Sequence, residues 1–279
     1  MMQLIISEEI LREFIPNAFT TVKSEVALFD KLSPQLQIAE DWVITNLTSA
    51  SVLDHIAGLS DDNNTRTLTA QLIVALALIN AIPSLDLVLT PNGFGVVSNQ
   101  NVAPASKERV ERLIASLKMV RDDCIAALLK LLPSLSDWLT TAQAEFFGAT
   151  LFPATSIVQD VGAVCASEWE KYLELRSQII DLEASLADEW FSPELMSALR
   201  SENLRSTLTG ERKLVAIQIK AQIIGYLRDG SFNSRRLADI VNFIRQRETE
   251  FPEWHSSDVA KLFSPPVFRN DKKAKGYFF

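Results

Sequence analysis

The chain contains only two histidines, His55 and His255, and these are the first places to look for acid–base or metal chemistry. Neither has a second histidine one helical turn away, or a cysteine pair at metal-binding spacing, so no metal site is expected. His55 closes the run Ser51-Val52-Leu53-Asp54-His55, and His255 lies in Glu253-Trp254-His255-Ser256-Ser257-Asp258. Either can be drawn into a Ser/His/Asp set on paper. Serine hydrolases of the α/β type present their nucleophile on a Gly-x-Ser-x-Gly elbow, and the sequence has none. His255 reads as a surface cap residue.

The remaining reactive side chains are no more convergent. Glu8-Glu9, Asp61-Asp62, Asp122-Asp123 and Asp188-Glu189 are adjacent carboxylates, but neighbours on a helix point about 100° apart and do not meet on one substrate. They read as solvated faces. The cysteines, Cys124 and Cys165, fall in segments read as helical or nearly so, as reduced and buried thiols do, and Cys124 sits beside Asp123 with nothing to lower its pKa except Arg121. Gly93-Phe94-Gly95 is followed by valines and is not the glycine-rich turn between strand and helix that cradles a phosphate. No catalytic, cofactor-binding or small-molecule constellation emerges, and the expectation is a protein that is not an enzyme.

The elements that would carry any function are mostly helices. Nine glycines in 279 residues is sparse, and long stretches repeat apolar residues at three- and four-residue spacing. Ser33-Pro34 and Ser192-Pro193 each place a capping hydroxyl before a proline, and Thr209 precedes a long periodic run, so all three predict helix starts. Pro83 and Pro133 follow the runs Leu68 to Ile82 and Glu108 to Leu132 and predict stops. The five tryptophans, Trp42, Trp138, Trp169, Trp190 and Trp254, fall in such runs and read as core. One segment breaks the pattern. Leu85 to Thr90 alternates, Pro91-Asn92-Gly93 is a turn, and Phe94-Gly95-Val96-Val97 follows, which predicts a β-hairpin over about 85–98. A polar loop through Pro104 then leads to the next helix.

The chain also carries an ordered internal similarity. Ala39-Glu40-Asp41-Trp42 returns as Ala187-Asp188-Glu189-Trp190, Thr67 to Ile82 matches Thr209 to Leu227, and the run from Ser106 matches the run from Ser234. The hairpin accounts for most of the difference in spacing. The expected fold is therefore mainly α: a helical bundle of two similar halves, 1–148 and 149–263, with the hairpin projecting from the first and an extended tail over 264–279.

Composition narrows the function classes. With 47% hydrophobic and 22% charged residues and a mean hydropathy of +0.10, the chain is neither disordered nor a membrane bundle. The most apolar run, Leu72 to Ile82, is too short to span a bilayer. The first residues lack a basic region and meet Glu8 and Glu9 within nine positions, so no signal peptide is expected. Basic residues number 27 against 35 acidic ones, for a net charge of −8, so nonspecific nucleic-acid binding through the body is disfavoured. From Arg269 to Phe279 the balance reverses to four bases against one acid. Tyr277, Phe278 and Phe279 bury nothing unless they dock on a partner, and Lys272, Lys273 and Lys275 suit an acidic rim around such a dock.

The run Leu87-Val88-Leu89-Thr90-Pro91-Asn92-Gly93-Phe94-Gly95-Val96-Val97-Ser98, the run Asn101-Val102-Ala103-Pro104-Ala105-Ser106-Lys107-Glu108-Arg109-Val110 and the Lys-Gly-Tyr-Phe-Phe end resemble an uncharacterised family encoded in phages and prophages of gut anaerobes. The resemblance covers nearly the whole chain and brings no established activity. By gene setting it implies a virion morphogenesis protein, and the shape argued above is similar to that of head-completion, or head–tail connector, proteins. A connector of this kind contacts the portal or a tail-completion protein and copies of itself in a ring, in the host cytoplasm during assembly and then in the virion. Its expected contact residues are Phe94, Val96, Val97 and Pro104 in the hairpin and loop, with Lys272, Lys273, Lys275, Tyr277, Phe278 and Phe279 in the tail. The alternative is a cytoplasmic adaptor or regulator that uses the same helices to hold a protein partner.

Overall fold

Two prolines end two of the longest helices of the first half. Helix Asn64–Ala81 passes into a 3-10 turn, Ile82–Ser84, with Pro83 at its second position, and helix Lys107–Leu131 passes into Leu132–Ser134 around Pro133. A proline has no amide to donate, and its ring clashes with the carbonyl four residues back, so the α-helix tightens and stops there. The computed structural model describes residues 4–5, 7–15, 27–85, 87–90, 93–96 and 106–264, and among these the chain is mainly helical. The helices in order are α1 (Glu8–Phe14), α2 (Leu28–Asn46), α3 (Ala50–Ala57), α4 (Asn64–Ala81), α5 (Lys107–Leu131), α6 (Ala142–Gly148), α7 (Ile157–Asp160), α8 (Glu168–Leu186), α9 (Pro193–Leu204), α10 (Gly210–Asp229), α11 (Ser234–Arg245), α12 (Pro252–His255) and α13 (Asp258–Leu262). Among them no helix is long and apolar enough to cross a membrane. Between α4 and α5, strands β1 (Leu87–Thr90) and β2 (Gly93–Val96) pair antiparallel, with Leu87 opposite Val96 and Thr90 opposite Gly93.

The helix starts are mixed against expectation. At Ser192-Pro193 the start is as read: Leu195 N–H donates to Ser192 Oγ at 3.2 Å, and α9 begins at the proline. Thr209 sits at the N-cap of α10, but its side chain makes no capping bond. Ser33-Pro34 is not a start. Helix α2 begins five residues earlier, at Leu28, and runs through Pro34. Burial of Leu32, Leu36, Ala39 and Val43 along one side of α2 outweighs the bond that an exposed proline fails to donate.

The chain forms two compact units, residues 1–178 with 203–207 and residues 179–202 with 208–279. The boundary read at 148/149 lies inside the first. The reason is aromatic packing: Phe147 in α6 stacks on Tyr172 in α8 at a centroid distance of 6.4 Å, and Trp169 meets Trp42 of α2 edge-on at 5.8 Å. These contacts hold α6 and the first half of α8 to the first unit. Its core otherwise lies between α2, α4 and α5, where α4 buries Leu72 to Ala77 without a break. Trp138 is fully buried, and its Nε1–H donates to Leu47 O at 2.7 Å, satisfying a carbonyl at the C-terminal end of α2.

The second unit is built from α10 and α11, which bury Val215, Ile219, Ile223, Leu237, Ile240, Val241 and Ile244, together with the π-turn Ala187–Phe191. Trp254 closes it by donating from Nε1 to Trp190 O at 2.9 Å. The repeated tetrapeptides sit in unlike places. Ala39 to Trp42 is mid-helix with Glu40 buried, whereas Ala187 to Trp190 forms the π-turn with Asp188 and Glu189 exposed.

Candidate interaction surface

Helix α5 starts poorly held and becomes well held halfway along. Ser106 at its N-cap makes no side-chain capping bond, and no residue from Lys107 to Val120 is buried. At Arg121 the character changes. Arg121 is buried and donates from Nε to Asp122 Oδ1 at 2.8 Å and from Nη2 to Ser167 Oγ at 2.6 Å, while Glu168 N–H donates to Asp122 Oδ2 at 2.7 Å. This buried network ties the middle of α5 to the start of α8. From there to Leu129 the helix buries Cys124, Ile125, Leu128 and Leu129.

The free half of α5 has two apolar rows. Val110, Ile114 and Leu117 are half-buried and continue the row that leads to the core, while Leu113 and Met119 are 50% and 67% exposed. At about 100° per residue, Leu113, Ser116 and Met119 share a face with Arg109 and Arg112, Glu108 borders that face beside Met119, and Glu111 lies further round the helix. This face leaves Leu113 and Met119, two large apolar side chains, exposed in the first unit. Sequence reasoning took 108–132 as one periodic helix and missed it. The signal is the second apolar row, since one stripe is enough to seat a helix.

Two of the residues read as contacts lie among the described residues. Phe94 and Val96 lie on β2. Val97, Pro104, Lys272, Lys273, Lys275, Tyr277, Phe278 and Phe279 lie outside the described residues.

The histidines have structural partners. His55, near the end of α3, bonds through Nδ1 to Asp137 Oδ2 at 2.8 Å, with both side chains substantially exposed. Partial burial by itself would raise the Asp137 pKa, but bonds from His55 and from backbone amides, with the imidazole's charge, hold the carboxyl below its ordinary value. His255 is half-buried rather than a surface cap: it meets the Trp254 ring edge-on and donates from Nε2 to Ile244 O at 3.1 Å, tying α12 to the end of α11. Among the described residues no group of three or more His, Cys, Asp or Glu is placed to hold a metal ion.

The thiols differ from each other. Cys124 is buried in α5, and desolvation, helped by the adjacent Asp123 charge, pushes its pKa up to about 11. Cys165 is exposed, in the irregular connection between α7 and α8. This corrects the reading of both as buried helical residues: Gly162 to Ala166 has no apolar row to seat it.

Residues 22–148 match the model of a family of unknown function, DUF6712. The matched region runs from just before α2 to the end of α6 and so includes the hairpin and the whole of α5. No curated protein and no solved structure matches the chain.

Proposed function

We propose that the protein is a non-enzymatic assembly component, a head–tail connector or neck adaptor of a phage virion that acts through protein–protein contacts. The observation that carries this reading is the free half of α5, 14 residues of helix from Lys107 to Val120 with no buried side chain and with Leu113 and Met119 exposed. A helix that length gains little stability alone, and its exposed Leu113 and Met119 have a use if a partner covers them. The hairpin before it, together with Pro104, meets the portal or a tail-completion protein through Phe94, Val96 and Val97. Copies arranged head-to-tail close a ring by rotation. The tail reaches a neighbour, where Tyr277, Phe278 and Phe279 fill an apolar groove and Lys272, Lys273 and Lys275 meet its acidic rim. The net charge of −8 suits a component near packaged DNA, since an acidic wall does not hold the duplex.

Removal of Lys272 to Phe279 tests the tail. The truncated protein is expected to keep its helical circular dichroism and to lose assembly with itself or on the portal. Assembly undiminished by the truncation would contradict the role of the tail.

A further inference from the structure

Helices α10 and α11 of the second unit leave between them a groove of about 470 Å³, within the size range of small-ligand sites. Ala221 of α10 and Ile240 and Phe243 of α11 line it with apolar surface, and Gln222, Arg236 and Asp239 bring polar groups to it. Gln222 is the most constrained of these. It is only 6% exposed, and its Oε1 accepts the N–H of Asn233, the N-cap of α11, at 3.2 Å. A backbone donor at that end of the amide fixes the oxygen there and turns the Nε2 hydrogens the other way. Among the described residues Nε2 has no partner, and it is not sealed from the groove that Gln222 lines. A nearly buried donor left in this way is a place for an acceptor. Phe243 is held as firmly: Arg247 lies over one face of its ring, 3.5 Å from the centroid, and donates from Nη1 to Phe243 O at 3.0 Å. Arg236 and Asp239 lie three residues apart on α11, where side chains are near neighbours. Both are exposed, and neither forms an ion pair with the other or with any described residue.

We infer that the α10–α11 groove binds a small zwitterion with an apolar side chain, an amino acid or a dipeptide. Its carboxylate is the acceptor for Gln222 Nε2 and the Arg236 guanidinium, its ammonium pairs with Asp239, and its side chain lies on Ala221, Ile240 and the open surface of the Phe243 ring. A simple anion would meet Asp239 and a simple cation would meet Arg236. A molecule that carries both signs about one helical turn apart faces neither repulsion. Because Arg236 and Asp239 are exposed, the affinity is modest and falls with salt. The groove lies within one unit and is independent of the assembly reading, so either can fail without the other.

Isothermal titration calorimetry of the full-length protein at low salt tests the site, with L-phenylalanine and leucyl-phenylalanine as probes. Binding is expected, and the tighter of the two fixes the length of the ligand. Hydrocinnamate, which lacks the ammonium, and phenethylamine, which lacks the carboxylate, are expected to bind about tenfold more weakly or worse. Asp239→Asn should remove the preference over hydrocinnamate, and Arg236→Gln the preference over phenethylamine, changes that a loss of structure would not produce. Ala221→Trp fills the groove from an exposed helix position and should abolish binding, while circular dichroism checks that each variant is folded. No binding of either zwitterion at millimolar concentration, single-charge analogues that bind equally well, or binding untouched by Ala221→Trp would each overturn the site.

Discussion

At the scale of single residues, environment assigns the reactive groups to structure. Cys124 and Cys165 are indistinguishable as residue types, but one is packed in α5 with its pKa raised to about 11 and the other is exposed. Since the thiolate is the reacting form, a disulfide reagent at mildly alkaline pH is expected to modify Cys165 alone in the native protein and both cysteines after unfolding in guanidinium. Fast modification of Cys124 in the folded state would contradict its burial. The His55–Asp137 bond gives a second prediction. With the folded pKa of Asp137 below its unfolded value, the contribution of this carboxylate to stability is present above the unfolded pKa, about 3.9, and is lost as pH falls through the lower folded value. A carbon-detected NMR titration should place the Asp137 carboxyl below the ordinary aspartate range, and His55→Ala should move it upward. An unchanged midpoint in the variant would show that the imidazole does not set it.

At the scale of elements, the local signals were legible and the tertiary ones were not. Pro83, Pro133 and Ser192-Pro193 act through the backbone within a turn of themselves, so the sequence alone was enough to place the ends of α4 and α5 and the start of α9. Pro34 carries the same local signal and is overridden, because Leu32, Leu36 and Val43 are fully buried on either side of it. The element scale therefore carries its own prediction. Pro34 is exposed, and Pro34→Ala restores an amide donor within α2, so the variant should be more stable toward urea by about 1–3 kcal/mol. A variant less stable than the wild type would mean that α2 does not run through this position as a regular helix. The division of the first unit at 178/179 is not legible for the same kind of reason: Phe147, Trp169 and Tyr172 lie far from Trp42 in sequence, and only packing joins them. The free face of α5 was hidden likewise, since whether Leu113 and Met119 are covered depends on elements that their own spacing does not report.

At the scale of the whole molecule, the proposed function rests on the exposed half of α5. The histidines and the Arg121–Asp122 network hold elements together, and the exposed half of α5 is the surface proposed for a partner. The most direct test of the assembly function is quantitative peptide mass spectrometry of purified phage particles induced from the source bacterium, with this protein measured against the portal and major capsid subunits. The account predicts the protein in intact particles at a portal-like ratio. Its absence from them would contradict the connector function and leave an adaptor that acts before the particle is complete.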